Sequence, residues 1–207
     1  MKQQLPINFE GTSENIYANF GARFSAVLLD GLILSPIILI TLILNNKDLH
    51  NYYYTTTASN LIMLFYYIYL PKKYGATPGK LLLNLKILKI DGTSIGYEDA
   101  FLRYLPTLVL TVLSIASNLI AVNKADITIF NNSSWTEQSA YFNSLNPTMF
   151  YSQIVLTNLY LFTNLIIFQT NPRKRSISDF SGDTVVVNKN LLKKIEHHLD
   201  KTKSKKL

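Results

Sequence analysis

Phe20-Gly21-Ala22-Arg23-Phe24-Ser25-Ala26-Val27-Leu28-Leu29-Asp30, continuing apolar to Leu44, is the stretch on which the fold turns. From residue 20 to 44 it is long enough to cross about 30 Å of hydrocarbon as a helix. It carries two charges of opposite sign, Arg23 and Asp30. Seven residues make about two helical turns, so both side chains fall within roughly 20° of one face, about 10 Å apart along the axis. Ionised groups at membrane depth cost several kcal/mol unless they meet protein, water or each other. That face is where function is expected.

Working outward, three further windows are free of charge: 49–71, 104–123 and 138–172. They hold spans near 52–70, 105–122 and 149–169, which with 20–44 predict an all-α membrane protein of four transmembrane helices. The chain of 207 residues has a net charge of +7, but its distribution argues against nucleic acid. Six of the basic residues lie between the second and third spans and ten from Arg173 onward, whereas the first and third connections hold only Lys47 and Lys124. Basic residues concentrate on the cytoplasmic side, so four spans with both termini inside satisfy the rule. The chain then divides into a cytoplasmic segment (1–19), a membrane domain (20–187) and a basic cytoplasmic tail (188–207) suited to anionic lipid.

The polar start and full-length apolar run predict a retained anchor rather than a cleaved signal. The chain has no cysteine, which removes disulfides and thiolate chemistry. His197 and His198 are adjacent and point apart on a helix. Gly75-Ala76-Thr77-Pro78-Gly79-Lys80 lacks the spacing and the following Ser/Thr of a phosphate loop. With no catalytic or metal-ligand cluster, neither enzyme chemistry nor a cofactor is expected.

In the loop between spans two and three, Leu83, Leu85 and Ile87 alternate with Asn84 and Lys86, and Asp91-Gly92 marks a tight turn. A small cytoplasmic β-hairpin is predicted, with Val185-Val186-Val187 able to add a third strand. Tyr97–Leu105 reads as a helix feeding the third span, with Glu98 and Asp99 in its first turn. Residues 124–147, rich in Asn, Ser and Thr, read as an exposed outer loop.

Thr107, Thr111, Ser114 and Asn118 recur at i, i+4, i+7 and i+11 in the third span, and Gln153, Thr157, Tyr160 and Asn164 repeat that spacing in the fourth. These faces read either as a polar passage beside Asp30 or as hydrogen bonds between helices. Arg23 can snorkel to the headgroups, pair with Asp179, or pair with Asp30.

Together these elements resemble the RDD family of membrane proteins. The resemblance is carried by Ala22-Arg23-Phe24 through Asp30, Ala76 to Lys80 leading into Leu85-Lys86-Ile87, Asp91-Gly92, Leu102-Arg103, and Ser178-Asp179-Phe180-Ser181-Gly182-Asp183-Thr184-Val185-Val186. It spans about 20–187. The resemblance implies that Arg23, Asp30 and Asp179 are the eponymous residues and that the protein is multi-pass in the bacterial cytoplasmic (inner) membrane. Asp183 departs from the pattern, standing between a glycine and a threonine usually adjacent. The resemblance leaves two functions open. One is proton-coupled transport of a small cation, with Asp30 titrating beside Thr111, Ser114, Asn118, Thr157 and Asn164. As four spans are few for a carrier, this reading calls for a homo-oligomer. The other is a scaffold binding a protein partner or anionic lipid on the cytoplasmic side.

Overall fold

The computed structural model describes Leu5, Ile7 and residues 15–191; the basic tail beyond, with His197 and His198, lies outside them. Among the described residues three helices are long and apolar enough to cross a membrane: α1 (Phe20–Lys47), α5 (Tyr97–Lys124) and α8 (Pro147–Thr170). They leave large apolar side chains uncovered, among them Leu28, Leu32, Leu39, Val155, Leu159, Phe162 and Ile166. A belt of that size needs an apolar medium. Pro36 interrupts the α1 ladder, since it has no N–H for the Leu32 carbonyl; the Ser35 hydroxyl donates to that carbonyl instead, at 2.8 Å.

The second expected span takes another form. α2 (Asn51–Leu64) runs through a π-helical segment (Phe65–Tyr69) into α3 (Leu70–Tyr74), which ends at Gly75 in the left-handed region. A π turn displaces the helix face locally and often marks a functional position. Here it carries the buried Tyr66.

At one end of the bundle, α4 (Pro78–Leu82) leads into β1 (Leu85–Lys89), which pairs antiparallel with β2 (Thr184–Asn188), Leu85 opposite Asn188 and Lys89 opposite Thr184. This corrects the expected hairpin. The Asp91-Gly92 turn does form, with Gly92 N–H donating to the Lys89 carbonyl at 2.9 Å, but its return arm contributes only a bridge at Ser94. The valines are the main partner of β1, not an added edge. β2 is buried along nearly its whole length, because residues 16–18 run along its other side. There Ala18 N–H donates to Val186 O at 2.9 Å and Asn188 N–H to Ile16 O at 3.0 Å. Beneath the sheet the core is built of small residues, Ala18, Ala26, Ala76 and Ala100, with Leu85, Ile87 and Val186. Small side chains let α1, α4 and α5 approach closely.

The opposite end corrects a second expectation. Residues 124–147 fold into α6 (Ile127–Asn131) and α7 (Trp135–Leu145), not an exposed loop. Phe130 and Phe142 pack with Leu49, Ala121 and Val122, and buried Gln138 donates to the Phe130 carbonyl at 3.0 Å. α9 (Ile177–Ser181) links α8 to β2.

Candidate functional site

The buried charges gather at the sheet end around two carboxylates. Asp179 is fully buried in the first turn of α9. Ser176 precedes that turn: its N–H donates to Asp179 Oδ2 at 2.9 Å, while its hydroxyl accepts from Asp179 N–H at 3.2 Å. This reciprocal capping box fixes the carboxylate. Arg23, one turn into α1, contacts Oδ2 at 2.5 Å, and Arg103, two turns into α5, contacts Oδ1. Arg23 also donates to the Lys174 carbonyl at 2.6 Å, and Arg103 to the Thr184 hydroxyl. One carboxylate therefore ties α1, α5 and the segment before β2 together. Burial pushes its pKa up, but the guanidiniums of Arg23 and Arg103 and the Ser176 N–H outweigh that and hold it well below the usual carboxylate range.

Asp30, 3 % exposed, is held by a different set. Tyr66 hydroxyl donates to Oδ1 at 2.6 Å, Gly79 N–H to Oδ1 at 2.7 Å, and Thr77 hydroxyl to Oδ2 at 2.7 Å. Lys80 Nζ stands 3.9 Å from Oδ2 and donates to Thr77 Oγ1 at 3.2 Å. The approach demands glycine at 79. A Cβ there would lie 2.4 Å from the Ala26 carbonyl and 2.7 Å from Asp30 N, both backbone atoms. Gly182 plays the same part for α9, since a Cβ there would lie 2.7 Å from the Asp99 carbonyl.

Of the three partners open to Arg23, the structure pairs it with Asp179 and not with Asp30. Among the described residues, none of the polar side chains of the third and fourth spans supplies a hydrogen bond to Asp30, whose donors are Tyr66, Thr77 and Gly79. Thr111 donates to the Thr107 carbonyl of its own helix at 2.9 Å. Asn164 accepts from Ile177 N–H at 2.8 Å and so anchors α9. Thr157 lines a separate cavity with Gln153 and Asn158, and Ser114 and Asn118 sit half-buried along α5. Sequence reasoning missed Arg103, Lys80, Thr77 and Tyr66. A signal was present for Thr77: Thr77-Pro78 is a helix start with proline in the first turn, and the Gly79 behind it marks close approach. Asp183 lies in the left-handed region at φ 46°, which aspartate tolerates better than most residues. Its carboxylate pairs with Arg175 at 3.0 Å, and Arg175 stacks over Phe180 at 4.1 Å. The departure from the family pattern is thus accommodated in a turn with its own ion pair.

Long apolar helices joined to a buried ionic cluster and a small sheet define a helical membrane protein. The RDD family model matches residues 17–183, and the chain belongs to the RDD family. No curated protein and no solved structure matches it.

Proposed function

We propose that this chain is a non-enzymatic, four-span membrane platform in the bacterial cytoplasmic membrane, with its sheet end and both termini inside. The second span, beside the three long apolar helices, is the continuous helical run 51–74, about 36 Å long at 1.5 Å per residue. The inside orientation follows from the basic residues of 72–103 and 173–191, all on the sheet side. Cysteine labelling tests it on a chain with no native cysteine: Asn132→Cys should react with an impermeant reagent in intact cells and Ser94→Cys only after lysis. The reverse pattern inverts the topology.

One observation carries the platform reading: both deep carboxylates are saturated by partners from separate elements. Asp179 and Asp30 act as latches that fix α1, α4, α5, α9 and the sheet into one cytoplasmic face. A protein partner or anionic lipid would be recognised there. The carrier reading has its own support in the buried Lys80–Asp30 pair, since burial pushes the Lys80 ammonium down to about 8 against the pull of Asp30. A carboxylate within a span, with a titratable partner at its end, is an arrangement that proton relays use. Flux assays decide between them. The platform predicts no movement of any monovalent cation in reconstituted vesicles under a pH gradient, and an Asp30→Asn protein that is less stable. The carrier predicts flux that Asp30→Asn abolishes while the fold survives.

A further inference from the structure

Between α3, α4, α5 and α9 lies a cavity of about 140 Å³. It is lined by Lys80, Arg103, Tyr67, Thr77, Thr107 and Ser178, with Pro71, Ile87 and Tyr104 completing the wall and no carboxylate among them. The volume corresponds to about four or five waters at 30 Å³ each, far below a drug-sized cleft. The local charge is not balanced. Among the described residues, Arg23, Arg103 and Lys80 pair only with Asp179 and Asp30, leaving one positive charge in excess. The donors are not exhausted either. Arg103 meets Asp179 and Thr184 through Nη1 alone, so Nε and Nη2 have no protein acceptor among the described residues. Lys80 makes one hydrogen bond, to Thr77, with two N–H groups to spare.

We propose that this cavity binds a phosphate group, with Lys80 and Arg103 as its charged donors and the Thr107 and Ser178 hydroxyls as neutral ones. A guanidinium and an ammonium converging with hydroxyls suit a small oxyanion with many acceptor lone pairs. A cation would meet excess positive charge and no anionic ligand. The bound anion neutralises the surplus and relieves the cost of keeping Lys80 charged while buried. The site depends on the charge and shape of the cavity, and it holds whether the chain is a platform or a carrier. At the sheet end of the helices a phospholipid headgroup and free phosphate carry the same chemistry.

The test measures thermal unfolding of the full-length protein in two arms. In neutral detergent, sodium phosphate is titrated against sodium chloride at matched ionic strength. In nanodiscs, phosphatidylcholine alone is compared with phosphatidylcholine containing phosphatidylglycerol. Stabilisation by phosphate assigns the site to the free anion; stabilisation only by phosphatidylglycerol assigns it to lipid. In either case Lys80→Gln should weaken the effect by roughly tenfold or more in concentration, the loss of one charge-assisted hydrogen bond. Thr107→Phe fills the cavity, leaves every charge in place and should abolish the effect; it also decides the matter if Lys80→Gln fails to fold. Absence of stabilisation in both arms overturns the proposal, as does equal stabilisation of wild type and Thr107→Phe.

Discussion

The two ends of the bundle are built on opposite principles. The sheet end buries two carboxylates against Arg23, Arg103 and Lys80 over a core of alanines. The far end packs aromatic rings, Tyr52 against Phe142 at 4.9 Å and Phe130 against Phe142 at 5.0 Å. Its polar bonds join neutral groups for the most part, among them Tyr53 hydroxyl to Asn123 at 2.7 Å and Thr55 hydroxyl to Asn45 at 2.6 Å. A packed aromatic cluster is specified by volume and tolerates exchange of similar residues. A buried ion pair is specified partner by partner, because removing one member strands the other in low dielectric. The sheet end should therefore be the fragile end and the far end the forgiving one.

The harshest way to break that contrast is to remove Asp179. Asp179→Ala strands Arg23 and Arg103 together and should cost about 3–5 kcal/mol. Arg23→Ala and Asp179→Ala should be far from additive in a double-mutant cycle, measured by denaturation in mixed micelles. Additive losses would mean that the pair is not a latch. Close behind comes Gly79→Ala. Its Cβ meets the backbone of α1 at 2.4 and 2.7 Å, so α4 must move away and Asp30 loses its amide donor; a loss of about 3 kcal/mol or more is expected. Gly31, in α1 beside Asp30, faces open space: a Cβ added there would meet nothing within 4 Å. Gly31→Ala should be neutral or stabilise by up to about 1 kcal/mol. Equal effects at the two glycines would refute the close approach.

How much of this was legible in the sequence differs between the ends for the same physical reason. Arg23 and Asp179 could be named as possible partners, since Arg23 is a charge inside an apolar span and Asp179 follows the last span on the same side. The choice between Asp179 and Asp30 was not legible. Three apolar spans, the 97–105 helix and the 91–92 turn followed from periodicity and turn chemistry. The partners of Asp30 were hidden, since one is a backbone N–H that every residue but proline possesses and another is Tyr66, on a π turn that no simple period predicts. The choice of β2 over a local return strand depended on burial on both sides of β2, a tertiary fact. At the far end, composition misled: Asn, Ser and Thr suggested a loop, while Ser134-Trp135-Thr136-Glu137 already held a capping box.

That box gives a gentler test. Ser134 N–H donates to Glu137 Oε2 at 2.8 Å and its hydroxyl to the same oxygen at 2.7 Å. Ser134→Ala should cost about 1 kcal/mol, well under the Asp179 and Gly79 variants. It should leave the sheet end intact, with reactivity of a Ser94→Cys label unchanged. A loss as large as that of Asp179→Ala would show that the far end is not forgiving.

The smallest expected effect is none at all, and it sharpens the contrast most. The Asp179 carboxyl has an ordinary value of 3.8 and is held well below it in the folded protein, where the guanidiniums and the Ser176 N–H overcome burial. A depressed carboxylate contributes stability that is complete above its unfolded pKa and is lost only as pH falls from there through the folded one. The stability gap between wild type and Asp179→Asn should therefore stay constant from about pH 8 down to about pH 5 and begin to close only below about pH 4. Wild-type and variant unfolding midpoints, measured side by side across that range, give the gap directly. A gap that already closes between pH 7 and pH 5 would mean that Asp179 takes up a proton near neutrality. The latch would then be a switch, and the sheet end would be poised to move instead of locked.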